Sequence, residues 1–317
     1  MNFTEQLARA EVMNDSLLCV GLDPDPAKFP GAWRNDASRI FEFCAAIVDA
    51  TKDRVLAFKP QIAYFAAQRA EDQLERLLAH IRSVAPEVPV ILDAKRGDIG
   101  STAEQYAREV FERYRADAVT LSPFMGFDSI QPYLAYEGKG VILLCRTSNP
   151  GGSDLQSQKL ASGDMLFEHI ARLAGGAWNR SGQLGLVVGA TFPAEIERVR
   201  ELAPTLPLLI PGIGAQGGDA RATVRAGWRG VAGVAGVGGS SGLTPRRTIA
   251  PIIVSSSRAV LYASSGADFA DAARRAATTA RDALNCARDE AADEAADEVA
   301  HAPAHAAARA ATTPQRN

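Results

Sequence analysis

The chain is poor in the residues that build metal centres and disulfide frameworks: four histidines and four cysteines in 317 residues. His80 and His169 fall in helical stretches and His301 and His305 near the end of the chain, so none stands where a strand end could present it to zinc. Cys19, Cys44, Cys145 and Cys286 include no close pair, which excludes the cysteine pattern of small secreted domains. Cys19 and Cys145 read instead as small apolar residues inside strands. No run of Lys or Arg offers a surface to nucleic acid or anionic lipid. No apolar stretch reaches the roughly 18 residues of a membrane span, and the opening MNFTEQLARAEV has neither the basic nor the apolar region of a signal peptide. Neither a GxGxxG nor a Walker A motif is present, and no Ser–His–Asp or Cys–His combination suggests itself. The expectation from these absences is a cytoplasmic protein with neither nucleic-acid nor membrane partner.

What is present is the composition of a globular enzyme, 47% hydrophobic and 22% charged, with a formal net charge of −3. Residues 287–317 hold three Arg against six Asp and Glu and so carry the whole −3, leaving 1–286 formally neutral. A neutral body has no broad field with which to steer an anion, so an anion site must be local.

Eight short apolar runs alternate with longer helical patterns. They are SLLCVGLD (16–23), VLAFKP (55–60), VPVILDAK (88–95), AVTLSP (118–123), GVILLCRT (140–147), LGLVVGAT (184–191), LPLLIPGI (206–213) and PIIVSSSRAVLY (251–262). Each is apolar at successive positions, as a parallel strand covered on both faces must be. Between them, Ile40, Phe43, Cys44 and Ile47 recur at helical spacing, as do Leu74, Leu77, Leu78 and Ile81. Eight strand–helix units in one chain predict a single α/β domain, a (β/α)8 TIM barrel over residues 1–286, with an open doubly wound sheet as the alternative. The Ala-rich acidic segment 287–317, interrupted by Pro303, reads as a disordered tail. The glycine-rich stretch 229–244 breaks the alternation and reads equally as a lid or as a connector.

Active sites of such barrels lie at the C-terminal ends of the strands. Here the first run ends in Asp23, the second in Lys59 and the third in Asp93 and Lys95, with Asp98 following. Asp93 and Lys95 are two apart, so a regular strand would aim both into the barrel mouth. Charge placed there must be paired or it costs stability. Carboxylates flanking Lys95 favour its ammonium, which suits a proton donor or a fixed cation and argues against a Schiff base. A second cluster follows the seventh and eighth runs: PGIGAQGGD (211–219) and SSSR (255–258), where glycine N–H groups and Arg258 could grip a phosphate. A metal between Asp93 and Asp98 would be repelled by Lys95, so no metal is expected.

The segment LDAKRGDIGSTA (92–103), with Asp93, Lys95 and Asp98 as its D-x-K-x-x-D core, resembles the orotidine 5′-phosphate decarboxylase family, in particular its second bacterial subfamily (type 2). The likeness runs through GLDPDP (21–26), FKPQIAYF (58–65), SPFMGFDS (122–129), CRTSNPGG (145–152), IPGIGAQGGD (210–219) and SSSRAVLYA (255–263). The resemblance implies a decarboxylation of orotidine 5′-monophosphate to uridine 5′-monophosphate that needs no cofactor, in pyrimidine biosynthesis. It implies Lys95 as the ammonium that stabilises and protonates C6 and Asp93 beside the departing carboxylate. Lys59 would hold Asp93 and the ribose, and Asp23 would accept a ribose hydroxyl. It further implies a homodimer in which Asp98, Ile99 and Thr102 reach into the neighbouring site. Ser148 would read the pyrimidine, and Gly212, Gly214, Gln216 and Arg258 would hold the phosphate. The family's pattern passes more directly from the PGIGAQGG loop to the final strand than this chain does, with its inserted stretch 229–244. Two other readings share some of these features: a Mg²⁺-dependent barrel enzyme acting on sugar phosphates, which should carry further acidic ligands where Lys59 stands, and a non-catalytic nucleotide-binding barrel, which should lack the acid–base cluster.

Overall fold

The structure, a computed structural model, describes residues 1–213, 217–231 and 247–301. Eight parallel strands form one sheet in the order β2-β1-β10-β7-β6-β5-β4-β3. They are β1 (Leu18–Leu22), β2 (Ala57–Pro60), β3 (Ile91–Arg96), β4 (Ala118–Leu121), β5 (Gly140–Arg146), β6 (Leu184–Val188), β7 (Leu208–Pro211) and β10 (Ile252–Ser256). The edges β2 and β3 meet through the bridges Phe58–Val90 and Gln61–Asp93, which close the sheet into a barrel. Each of the eight apolar runs supplies one strand, so the (β/α)8 expectation holds and the open sheet is excluded. The last run yields a shorter strand than expected: the chain leaves β10 at Ser256, and Arg258–Leu261 form a helical turn.

The longer helices are α1 (Phe3–Asn14), α2 (Ile40–Thr51), α3 (Glu71–Val84), α4 (Gly100–Arg108), α5 (Leu166–Gly175), α6 (Pro193–Leu202), α7 (Ala220–Gly227) and α8 (Phe269–His301). Their apolar stripes bury against the outer strand faces: Ile40, Phe43, Ile47 and Val48 of α2, and Leu74, Leu77, Leu78 and Ile81 of α3, are all at most 1% exposed. None of the described helices is long and apolar enough to cross a membrane.

The barrel interior is a smaller core of Cys19, Leu56, Ala57, Ile91, Ala118, Ile142, Val187, Leu209 and Ile253. Helix α1 closes its N-terminal end with Phe3, Leu7 and Ala10. Its start is fixed by a capping box, in which Asn2 accepts from the Glu5 N–H while the Glu5 carboxylate accepts from the Asn2 N–H, both at 2.9 Å. Gly140, the first residue of β5, is required here, because a Cβ would sit 2.4 Å from the Phe3 ring. The Cys19 thiol, enclosed in this core, is pushed up to about 12 by burial.

Two features depart from expectation. An antiparallel ribbon, β8 (Arg229–Val231) with β9 (Arg247–Ala250), frames the glycine-rich stretch; residues 232–246, which carry the lid-or-connector reading, lie outside the described residues. Helix α8 also runs on past Cys286, where the tail was expected to begin, to His301. Ala287 and Ala292 are buried, and Arg288 bonds Asp15 at 2.7 Å. Alanine without bulk still packs where a neighbouring surface comes close. The remainder of the expected tail, 302–317, lies outside the described residues.

Candidate active site

At the C-terminal ends of the strands lies a cavity of about 570 Å³. Asp23, Lys59, Asp93, Lys95, Ser148, Gly212 and Arg258 all line it, so seven of the residues singled out in the sequence converge. Leu144, Val187 and Pro211 supply an apolar wall.

The charged centre is Asp93. Its Oδ2 accepts from Lys59 Nζ at 2.9 Å and its Oδ1 from Lys95 Nζ at 2.6 Å. The Lys59 and Asp93 side chains are 7% and 9% exposed, whereas that of Lys95 is 46% exposed and faces the cavity. Burial pushes the Asp93 carboxyl up, but the two ammonium groups outweigh it and hold it well below the ordinary carboxylate range. Burial likewise works against the Lys59 charge, and the Asp93 and Asp23 carboxylates outweigh it, leaving Lys59 above the ordinary lysine range. The centre is therefore an ionised carboxylate between two ammonium groups, one locked in the wall and one reaching into the cavity.

The route by which Asp93 and Lys95 meet differs from the simple alternation expected of a strand. β3 pairs with β4 at Ile91–Ala118 and Leu92–Val119 and resumes at Arg96–Leu121, so Asp93, Ala94 and Lys95 stand opposite Thr120 alone. Within this bulge Lys95 takes a left-handed conformation, φ 47°, which costs a non-glycine residue energy. Thr120 takes the place of the missing ladder bonds. Its Oγ1 accepts from the Ala94 and Lys95 N–H groups at 3.1 and 3.0 Å and donates to Asp93 Oδ1 at 2.8 Å. The one sequence signal of this role is the lone threonine within the apolar run AVTL.

Around the rim, Asp23 follows β1, and its Oδ1 is buried with no partner among the described residues. Tyr262 pins this turn: its hydroxyl donates to the Asp23 carbonyl and accepts from the Asp25 N–H, both at 2.7 Å. The loop after β5 carries Ser148 and is organised by Arg146, which sequence reasoning also passed over. Its buried guanidinium bonds Glu195 at 2.7 Å and Ser153 at 3.0 Å and lies over the Phe192 ring. Gly189 lets this loop come close, since a Cβ there would stand 2.8 Å from the Ser148 backbone nitrogen. On the opposite side, Gly212 sits at φ 109°, open to glycine alone, and its carbonyl accepts from the Gly218 N–H at 3.0 Å. Gly214 and Gln216 lie outside the described residues. Asp98, Ile99 and Thr102 do not line the cavity: Ile99 is 52% exposed, Thr102 is exposed, and Asp98 accepts from the Ile99 N–H at 2.8 Å. Among the described residues, no cluster of three or more His, Cys, Asp or Glu could hold a metal ion.

A charged Asp–Lys cluster at the mouth of a (β/α)8 barrel, beside glycine turns and an arginine suited to a phosphate, defines an enzyme of small phosphorylated substrates. Residues 16–238 match the model of the orotidine 5′-phosphate decarboxylase / HUMPS family, and the chain belongs to that family. It is 72% identical over 290 residues to the orotidine 5′-phosphate decarboxylase of Leptothrix cholodnii, covering 90% of this chain and 98% of that one. To the enzyme of the same name from Methylibium petroleiphilum it is 70% identical over 291 residues, 91% of this chain and 100% of the relative. Among solved structures, the OMP decarboxylase of Leishmania donovani superposes with a TM-score of 0.73 at 36% identity, covering 91% of this chain and 99% of that one.

Proposed function

We infer that the chain is an orotidine 5′-phosphate decarboxylase, a carboxy-lyase of pyrimidine biosynthesis that converts orotidine 5′-monophosphate to uridine 5′-monophosphate and CO₂. Family membership and identity of about 70% to enzymes of that name carry the reaction. The observation that carries the roles of the residues is the Lys59–Asp93–Lys95 array lining the cavity, with Lys95 its half-exposed member and Lys59 and Asp93 buried.

The bond from C6 to the carboxylate breaks and leaves its electron pair on C6. Lys95 supplies a cation where that charge develops and then the proton that quenches it. Asp93 stands beside the departing carboxylate and fixes the Lys95 ammonium, while Lys59 neutralises Asp93 from within the wall. The partnerless Oδ1 of Asp23 suits a ribose hydroxyl. Ser148 is placed to read the pyrimidine, and Gly212 and Arg258, with Gly214 and Gln216, to hold the phosphate. No metal or other cofactor is called for, since fixed charges already oppose the developing one. The type 2 bacterial subfamily and a cytoplasmic location fit this reading. A homodimer is also part of it: Ile99 and Thr102 are exposed and Asp98 half-buried, and Phe124 and Met125 are exposed apolar residues, as a surface that shares its site with a second copy would present.

The test follows the loss of orotidine 5′-monophosphate absorbance in the presence of EDTA, for the parent protein and for Lys95→Ala. Full parent activity with a loss of several orders of magnitude in the variant is expected. A folded parent that leaves orotidine 5′-monophosphate unchanged but turns over a sugar phosphate with Mg²⁺ would instead favour the sugar-phosphate reading. Mixing inactive Lys95→Ala with inactive Asp98→Ala should regain part of the activity if the sites are shared; no regain would remove the dimer from the proposal.

A further inference from the structure

We propose that Thr120 is a positioning residue for the decarboxylation, its hydroxyl holding the β3 bulge in the one shape that sets the Lys95 ammonium against Asp93 and toward the cavity. The inference rests on the reading of Lys95 as the group that meets C6.

The hydroxyl's hydrogen-bonding capacity is used in full, and its polarity is fixed. Thr120 Oγ1 has two N–H groups pointed at it, from Ala94 and Lys95, and an N–H can only donate. Its single hydrogen is thereby directed to Asp93 Oδ1, the same oxygen that receives Lys95 Nζ. Thr120 is 1% exposed, so water cannot easily stand in for it. One buried atom thus ties together the backbone on which Lys95 rides, the left-handed turn at Lys95 and the carboxylate that anchors its side chain. Without the hydroxyl, two amides and a carboxylate oxygen each lose a partner at once. The bulge then has less to hold it in a strained conformation. Lys95 is the residue with freedom to move, being half exposed, while Lys59 stays fixed in the wall. A shift of about 1 Å in a reacting group can cost about 100-fold in rate.

The effect should therefore appear in kcat and leave substrate binding nearly intact, because Asp23, Ser148, Gly212 and Arg258 belong to other strand ends. Thr120→Val keeps the shape and removes the hydroxyl. Thr120→Ser keeps the hydroxyl. Thr120→Cys differs from Thr120→Ser in a single atom, a sulfur that bonds weakly. The expected result is a kcat lower by roughly 10- to 100-fold in Thr120→Val with KM within about threefold of the parent, and kcat in Thr120→Ser within about threefold of the parent. Should Thr120→Val fail to fold, the Ser and Cys pair decides: kcat should be at least about tenfold lower for Cys. Equal kcat in Ser and Cys, a folded Thr120→Val with parental kcat, or a loss confined to KM would each overturn the proposal. Lys95→Ala assayed alongside separates the two levels. Its inactivity beside a fully active Thr120→Val refutes only the role of Thr120, whereas an active Lys95→Ala refutes the underlying reading.

Discussion

Replacing Asp93 by Asn removes the charge but keeps the shape, and it exposes what the array at the barrel mouth costs the fold. Lys59 Nζ and Asp93 Oδ2 are 2.9 Å apart with both side chains under a tenth exposed. At an effective dielectric of about 20, two unit charges at that separation attract by about 6 kcal/mol. Desolvation of the two ions offsets much of this, and removing one partner strands the other. The expected loss is then about 3–5 kcal/mol, or roughly 5–15 °C in unfolding midpoint for a domain of this size. The penalty belongs to the abandoned Lys59, so a second change should remove it. Lys59→Met added to Asp93→Asn should recover most of the lost stability while restoring none of the activity. Thermal and urea unfolding followed by circular dichroism, with the decarboxylation assay on the same samples, measures both quantities. A double variant no more stable than Asp93→Asn alone would refute the reasoning, since the loss could then not be the cost of a stranded charge.

Two further outcomes are expected. A carboxyl held low in the folded state adds stability that is present above its unfolded value and lost as pH falls through the folded one. Burial opposes the Asp93 charge while Lys59 and Lys95 sustain it, so Lys59→Met should move the acid unfolding midpoint to higher pH, read by circular dichroism across an acid titration; an unmoved midpoint would mean that Lys95 alone suffices. Gly189→Ala drives a Cβ against the Ser148 backbone, so kcat/KM should fall about 10- to 100-fold through the displaced loop, at a stability cost of about 1–3 kcal/mol; parental kinetics would show that the Ser148 loop can shift freely.

The eight strands could be read from the sequence because burial on both faces leaves each an uninterrupted apolar run, and the charges at their ends then stand out. Asp23, Lys59, Asp93 and Lys95 were legible for that reason. The bulge was not, because nothing in LDAK distinguishes a regular strand from one in which three residues face one. The alternation argument reached the right pairing of Asp93 with Lys95 by the wrong backbone path. Thr120 and Arg146 escape such a reading since a lone polar residue in a strand is ordinary until its partners are known; those of Thr120 lie 25 to 27 positions away in sequence, and the carboxylate that pairs Arg146 lies 49 away. The continuation of α8 was hidden for a related reason. Its alanines carry no hydrophobic bulk, and its anchor, Arg288 to Asp15, spans nearly the whole chain. The ribbon of β8 and β9 frames a glycine-rich stretch whose composition carries no periodicity to announce flanking strands.

Helix α1 has a consequence for the order in which the molecule assembles. It precedes every strand in the chain, yet Phe3, Leu7 and Ala10 bury against residues drawn from all parts of the barrel, as far as Ile253. At its far end Glu11 accepts from Thr248, and the Asp15 that follows holds Arg288. On a ribosome this segment emerges before its receptor exists and must wait, apolar face uncovered, until the final strand has been made. Contacts of such sequence separation form late and slow folding. A segment made ahead of every strand is thus among the last to find its place, and its docking marks the point at which the barrel is complete.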